Sequence, residues 1–315
     1  MIYCIGEALV DFIPAGETHE GTPLLSPMPG GAPANTAVAA AKLDAKSAFV
    51  GKVGDDGFGH MLKDVINEYG VGTEYMSMTH EACTTLAFVT LTKDGERSFT
   101  FARKPGADMM LSESDMPDEL FNSNDILHFG SLGLMPDSLS KKAHLKAIGS
   151  AGSAGALISF DPNVRLPLWD DHDILRKTIL EYLPFADIVK VSDDELEFIF
   201  DTNDETKAAG YCFDKGARVV FITRGRKGAA VYTPTFFAET GGIPVKAVDT
   251  TGAGDAFNGA VLSRFAGRPL DINLEPENLT GILRFANAAG AFTVTRKGAM
   301  AGSPTADEAY SILNE

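Results

Sequence analysis

The sequence predicts an α/β domain: a mostly parallel sheet sandwiched by helices, carrying a small β-sheet lid. Short, fully apolar runs alternate with segments of helical periodicity along most of the 315 residues. Such strands belong in parallel sheets covered on both faces. One stretch, 84–103, departs from the alternation and reads as an antiparallel hairpin. The length suits one large domain with an appendage of this size, and no repeat, low-complexity tract or linker divides the chain, so 1–315 is read as a single unit.

Taken in order, 2–6 (Ile-Tyr-Cys-Ile-Gly) is a short buried strand, and 34–43 is a helix of small and apolar residues packed tightly on the sheet. Between them, 10–30 is broken by Pro14, Pro23, Pro27 and Pro29. Further on, 84–92 and 97–103 are β-prone runs joined through Lys93-Asp94-Gly95-Glu96, where Asp-Gly is a strong hairpin signal. Polar interruptions in both runs suit a ribbon with one wet face. The segments at about 10–30 and 83–105 are read as the lid, with a plain surface loop and hairpin as the alternative. Strands at 126–129, 156–160, 188–191 and 219–223 then alternate with helices near 137–149, 171–183, 193–200 and 204–216. Ligands of such sheets bind beyond the carboxyl ends of strands. That gives weight to 161–165 (Asp-Pro-Asn-Val-Arg) and 223–225 (Thr-Arg-Gly).

A formal net charge of −16 argues against a nucleic-acid or anionic-membrane surface. Local basic groups remain available for phosphate: Arg103, Lys104, Arg165, Lys190, Arg224 and Lys297 are candidates, although such residues taken alone are more often solvated surface charges. Cys4, Cys83 and Cys212 are scattered and odd in number, which suits a reducing compartment. The histidines form no metal-ligand pattern. With neither a leader pattern nor an apolar run of spanning length, the expected location is the cytoplasm.

The most informative run is 249–262, Asp-Thr-Thr-Gly-Ala-Gly-Asp-Ala-Phe-Asn-Gly-Ala-Val-Leu. Phe257, Val261 and Phe265 recur at four-residue spacing and mark a helix that begins near Gly252–Asp255. The first N–H groups of a helix lack internal partners and, with the macrodipole, attract an anion. Gly252 and Gly254 allow that anion close to the backbone. A carboxylate beside it, Asp255, serves a hydroxyl that must lose a proton while attacking phosphorus; equally, Asp255 complements the helix dipole and does nothing more. There is no G-x-x-x-x-G-K-[ST], which excludes P-loop chemistry, and Phe257 stands where a dinucleotide fingerprint needs its third glycine.

A second motif, Gly30-Gly31-Ala32-Pro33-Ala34-Asn35-Thr36-Ala37, continues far upstream into 49–59, Phe-Val-Gly-Lys-Val-Gly-Asp-Asp-Gly-Phe-Gly. In this order the two motifs resemble the ribokinase-like sugar kinases (the phosphofructokinase B family), and among them the fructokinases, over essentially the whole chain. The resemblance implies a Rossmann-like core whose β lid closes over a sugar. It implies Asp255 as the base for the sugar's primary hydroxyl, with the N–H groups of Gly252, Ala253 and Gly254 holding the transferring γ-phosphoryl group. That division suits phosphoryl transfer, which needs positioning and charge stabilisation above all.

On the sugar side the resemblance implies Asp11, Gly30, Gly31, Asn35, Asn163 and Arg165, and from the lid hairpin Arg103. Asn35 is alternatively a helix cap, and Arg103 an exposed charge. On the nucleotide side it implies that Lys190, Thr223, Gly225 and Asn287 meet ATP, although Asn287 alternatively bonds neighbouring backbone. Many relatives are apolar where this chain has Arg224. Ser192-Asp193-Asp194-Glu195 is a capping box in its own right. The family's Asn-x-x-Glu at this place organises Mg²⁺ through water, so Ser192 departs from the pattern while Glu195 keeps it. Mg²⁺ itself would be held mainly by ATP phosphates and water. Asp249 and Thr251 resemble a monovalent-cation site that takes K⁺.

The leading expectation is ATP-dependent conversion of D-fructose to fructose 6-phosphate. The runner-up is a relative acting on 2-keto-3-deoxygluconate, ribose or an aminoimidazole riboside, because a few hydroxyl contacts set selectivity. A non-catalytic sugar sensor comes third. An exposed lid edge makes a homodimer through the lid a further expectation.

Overall fold

Apolar strands need cover on both faces, and the helices of this chain supply it. The computed structural model describes residues 1–91, 97–136 and 138–313. Its strands are β1 (Ile2–Ile5), β2 (Leu9–Glu17), β3 (Pro23–Gly30), β4 (Ser47–Gly54), β5 (Met76–Thr79), β6 (Leu86–Leu91), β7 (Arg97–Ala102), β8 (Ile126–Gly130), β9 (Leu157–Asp161), β10 (Ile188–Ser192), β11 (Val219–Thr223), β12 (Gly228–Tyr232) and β13 (Phe237–Gly241). Its helices are α1 (Ala32–Lys42), α2 (Gly57–Glu68), α3 (Leu139–Ala154), α4 (His172–Tyr182), α5 (Leu196–Phe200), α6 (Glu205–Asp214), α7 (Ala253–Phe265), α8 (Leu270–Asn273), α9 (Pro276–Thr293), α10 (Ala299–Gly302) and α11 (Ala306–Leu313).

Among the described residues, nine strands form one sheet in the order β13-β12-β11-β10-β9-β8-β1-β4-β5. From β11 to β5 all neighbours run parallel, and β12 and β13 return antiparallel at one edge. The expected fold class therefore holds. Alternation along β1 sends Ile2 and Cys4 to the layer of α1, α7 and α9, and Tyr3 and Ile5 to the layer of α3 and α4. In the second layer Phe129 and Phe160 stack with centroids 4.7 Å apart, and Tyr182 meets Phe129 edge-on at 6.3 Å. Each such buried ring contributes about 1.5–3 kcal/mol.

Helix starts follow capping chemistry. Asp56, Asp171 and Asp204 accept backbone N–H groups at the starts of α2, α4 and α6. Small residues let α1 and α7 cross closely, since a Cβ on Gly259 would lie 2.5 Å from Ala39 Cβ. This close crossing brings the two motif-bearing helices together.

A separate four-stranded sheet has the order β3-β2-β6-β7. β2 follows β1 directly, so Asp11 rides on the small sheet above the strand ends of the large one. Phe12 stacks on Phe88 at 5.1 Å and meets Phe58 of α2 edge-on at 5.5 Å, which seats the small sheet on the core. The segments 10–30 and 83–105 carry these four strands; the turn expected at 93–96 lies outside the described residues. Prolines 23, 27 and 29 fall on β3, an edge strand, where a ladder tolerates missing donors. The sequence reading had no expectation for β4, β5, α2 or the β12–β13 hairpin.

Candidate active site

The helix of the glycine-rich motif starts at the carboxyl-end edge of the large sheet. Gly252 caps α7 with φ +81°, and a Cβ there would lie 2.4 Å from Ala299 Cβ, so the position demands glycine. No side chain caps α7, and its first N–H groups remain a positive, donor-rich surface. Asp255 sits in that first turn, half-buried, and its Oδ2 accepts from Asn35 Nδ2 at 2.8 Å. An ionised carboxylate only accepts, so the amide is obliged to turn its nitrogen toward Asp255. Asn35 Oδ1 is then buried without a donor.

Asp11, on β2, lies close enough to Arg165, Asp255 and Asp249 for their charges to act on it. Its Oδ2 would be 2.4 Å from a Cβ on Gly30, which explains the glycine there. Burial pushes the Asp11 carboxyl up to about 6, with Arg165 opposing and Asp255 and Asp249 adding to the rise. Gly31 is the N-cap of α1 at φ +105°. Burial also raises the carboxyl of Asp255, which the Asn35 hydrogen bond counters, Asp161 reinforces, and Arg165 and Lys190 counter in turn. Asn163 follows β9 at φ +44° and donates its N–H to Asp161 Oδ1 at 3.1 Å. Arg165 is exposed, and its guanidinium donates to Val164 O at 3.2 Å.

Beneath α7, the ends of β9 and β10 carry a buried ion pair. Lys190 Nζ donates to Asp161 Oδ2 at 3.1 Å, and Asn258 Nδ2 donates to the same oxygen at 2.6 Å. Lys190 Nζ lies 3.2 Å from the place of a Gly254 Cβ, directly beside the start of α7. Burial alone would lower the Lys190 pKa, yet Asp161, Glu195 and Asp255 outweigh it and hold the group above the ordinary lysine value. Glu195 uses both oxygens on backbone: Oε2 accepts Ser192 N–H at 2.8 Å, the expected box, and Oε1 accepts Val164 N–H at 2.6 Å. That second bond ties down the loop bearing Asn163 and Arg165.

An uncapped helix start, a carboxylate and further polar groups thus meet at the carboxyl-end edge of the large sheet. A sequence profile of the pfkB family of carbohydrate kinases matches residues 1–306. The chain belongs to that family. It is 43% identical to fructokinase-2 of Solanum lycopersicum over 316 residues, covering 99% of this chain and 96% of the relative. The structure resembles fructokinase from Vibrio cholerae O395, solved with fructose, ADP and calcium ion, at TM-score 0.89 and 36% identity, covering 99% of this chain and 98% of that one. It also resembles aminoimidazole riboside kinase from Salmonella enterica, complexed with aminoimidazole riboside and an ATP analogue, at TM-score 0.87 and 31% identity, covering 100% and 99%.

Other expected residues of this carbohydrate kinase have partners of their own. Arg103 is buried rather than exposed, its guanidinium paired with Asp108 through Nε at 2.9 Å and Nη2 at 2.6 Å, with Leu132 O at 3.4 Å. The two charge-assisted bonds to the Asp108 carboxylate compensate the buried cation. Arg224 is likewise occupied, by Glu205 through two bonds of 2.6 Å and by Glu239 at 2.8 Å. Thr223 Oγ1 reaches Val191 O at 3.5 Å, and Gly225 follows at φ +52°. Asn287 Nδ2 donates to Gly241 O at 3.0 Å, the backbone alternative. Asp249 Oδ1 accepts Thr251 N–H and Oγ1–H at 3.0 and 2.7 Å, and its Oδ2 accepts Gly298 N–H at 3.0 Å.

The sequence reading missed Glu7, Asp108 and Asn258, and assigned Asp161 no role. Asn258 was findable, since it follows Asp255 by three and shares its helix face. Asp108 and Glu7 left no signal, because only the fold brings their partners, Arg103 and the start of α1, to them.

Proposed function

We propose that this carbohydrate kinase transfers the γ-phosphoryl group of ATP to the 6-hydroxyl of D-fructose. The observation that carries the reading is Asp255 in the uncapped first turn of α7, held by Asn35, whose own Oδ1 still lacks a donor. In the step, Asp255 takes the proton of the 6-hydroxyl as its oxygen bonds to the γ-phosphorus, the bond to the β-phosphate oxygen breaks, and ADP leaves. The N–H groups of Gly252, Ala253 and Gly254 hold the charge that builds on the γ-oxygens.

Asp11, the backbone at Gly30 and Gly31, Asn163 and Arg165 position the other hydroxyls in this proposal. Arg103 is left out, because Asp108 engages it. Lys190, Thr223, Gly225 and Asn287 serve the nucleotide. Glu195 would help to hold a hydrated Mg²⁺ here, and that ion would supply positive charge to the phosphates. Asp249 adds a buried negative charge at the entrance to α7, and with Thr251 it suits K⁺ there. The small sheet acts as the lid. Exposed Leu24 and Leu25 on the edge strand β3 offer apolar surface to a second copy, while three prolines on that strand disfavour ladder-type pairing. Three unpaired cysteines support a cytoplasmic location, and no helix among the described residues is long and apolar enough to cross a membrane.

Aminoimidazole riboside is the second reading, favoured by the structural likeness to the Salmonella enzyme. ADP formation measured over a panel of fructose, ribose, 2-keto-3-deoxygluconate and aminoimidazole riboside tests the assignment. The largest kcat/KM is expected with fructose. A higher value for another compound replaces fructose, and no sugar-dependent ADP would leave a sensor.

A further inference from the structure

Glu7 is a carboxylate only 6% exposed, in the turn between β1 and β2, and phosphoryl transfer as described does not use it. Its Oε1 accepts the N–H of Ala32, the first residue of α1, at 3.1 Å. The helix lacks any local substitute. Its N-cap is Gly31, no side chain caps it, and Pro33 in the first turn has no N–H. The same turn is the seat of the helix: a Cβ on Gly6 would stand 2.7 Å from Pro33 Cγ, and one on Gly31 would stand 2.4 Å from the Glu7 carbonyl oxygen. Three residues past Ala32, Asn35 presents its Nδ2 to Asp255. A helical turn is stiff, so a shift at Ala32 carries over to the Asn35 amide.

We propose that Glu7 is a positioning residue for the transfer: by fixing the start of α1 from another element, it sets the geometry in which Asn35 holds the Asp255 carboxylate. The inference rests on the kinase reading above. It extends that reading to a side chain outside the reacting groups.

The test is a double-mutant cycle of Glu7→Ala and Asn35→Ala in the full chain, with kcat and the KM values for sugar and ATP measured separately. Wild-type turnover of the best sugar tests the activity itself, and the cycle on that sugar tests Glu7. Glu7→Ala is expected to lower kcat about tenfold with KM for ATP within about twofold of wild type. Asn35→Ala lowers kcat further, and the double variant falls within about twofold of Asn35→Ala, because Glu7 acts through Asn35. Glu7→Gln keeps an acceptor for Ala32 and returns kcat to within about threefold of wild type. If Glu7→Ala melts below assay temperature, Glu7→Asp, one methylene short of Ala32, takes its place in the cycle. Losses that multiply would overturn the proposal, as would a Glu7 variant of this kind within about twofold of wild type in kcat.

Discussion

Replacing Asp161 with asparagine keeps the shape of the side chain and removes the charge that Lys190 touches at 3.1 Å. The two side chains are 9% and 5% exposed, so water cannot take the place of the lost carboxylate. Stranding one member of a buried pair costs about 3–5 kcal/mol. Asn258 also exchanges an ionic acceptor at 2.6 Å for a neutral one, a contribution that overlaps the first because both bonds end on one oxygen. We expect Asp161→Asn to lose about 3 kcal/mol in denaturant titration, and a Tm lower by about 6 °C. Adding Lys190→Met removes the stranded ammonium and recovers most of that stability, since apolar replacements of buried pairs are often neutral. Turnover stays low in the double variant, because no cation then stands beside Gly254. A cost below about 1 kcal/mol for Asp161→Asn, or a double variant no more stable than the single, would refute this account of the ion pair.

Gly252→Ala is expected to lower kcat at least about tenfold, since its Cβ would meet Ala299 at 2.4 Å and the left-handed φ is unfavourable for alanine; unchanged kcat would show that the start of α7 does not hold the phosphoryl group. Asp11 connects function with pH-dependent stability. Its folded pKa of about 6 lies above the ordinary carboxylate value, so the folded state favours the protonated form, and the carboxylate costs stability as pH rises through 6. Asp11→Asn should therefore raise Tm relative to wild type at pH 7.5, by the equivalent of about 1–2 kcal/mol, and change it little at pH 4. Its KM for the sugar should rise. An equal Tm difference at both pH values would contradict the sign.

The layers of the fold were legible in the sequence because buried parallel strands are apolar throughout. Each of the four central strands expected at 126–129, 156–160, 188–191 and 219–223 lies within one residue of its observed bounds. β3 was harder to see, since three prolines mask a strand whose edge position excuses them. At the site, the glycines and the apolar periodicity made the helix start at Gly252–Asp255 readable, and the capping box explained Ser192 and Glu195. What could not be read was partnership. Arg103 and Asp108 lie five residues apart, a spacing with no helical or strand meaning, yet the chain folds them into a buried pair. Asn258 and Asp161 meet across 97 positions of sequence, and Glu7 reaches Ala32 across 25. Long-range polar contacts of this kind follow from the packing of α1 and α7 on the sheet.

The most direct test of the central claim is Asp255→Asn, assayed for kcat with ATP and fructose alongside calorimetric binding of each. Asparagine keeps the size of the group and its contact with Asn35 while removing the base. The account predicts a fall in kcat of at least about a hundredfold, with ATP and fructose affinities within a few-fold of wild type. Turnover near the wild-type rate would contradict it.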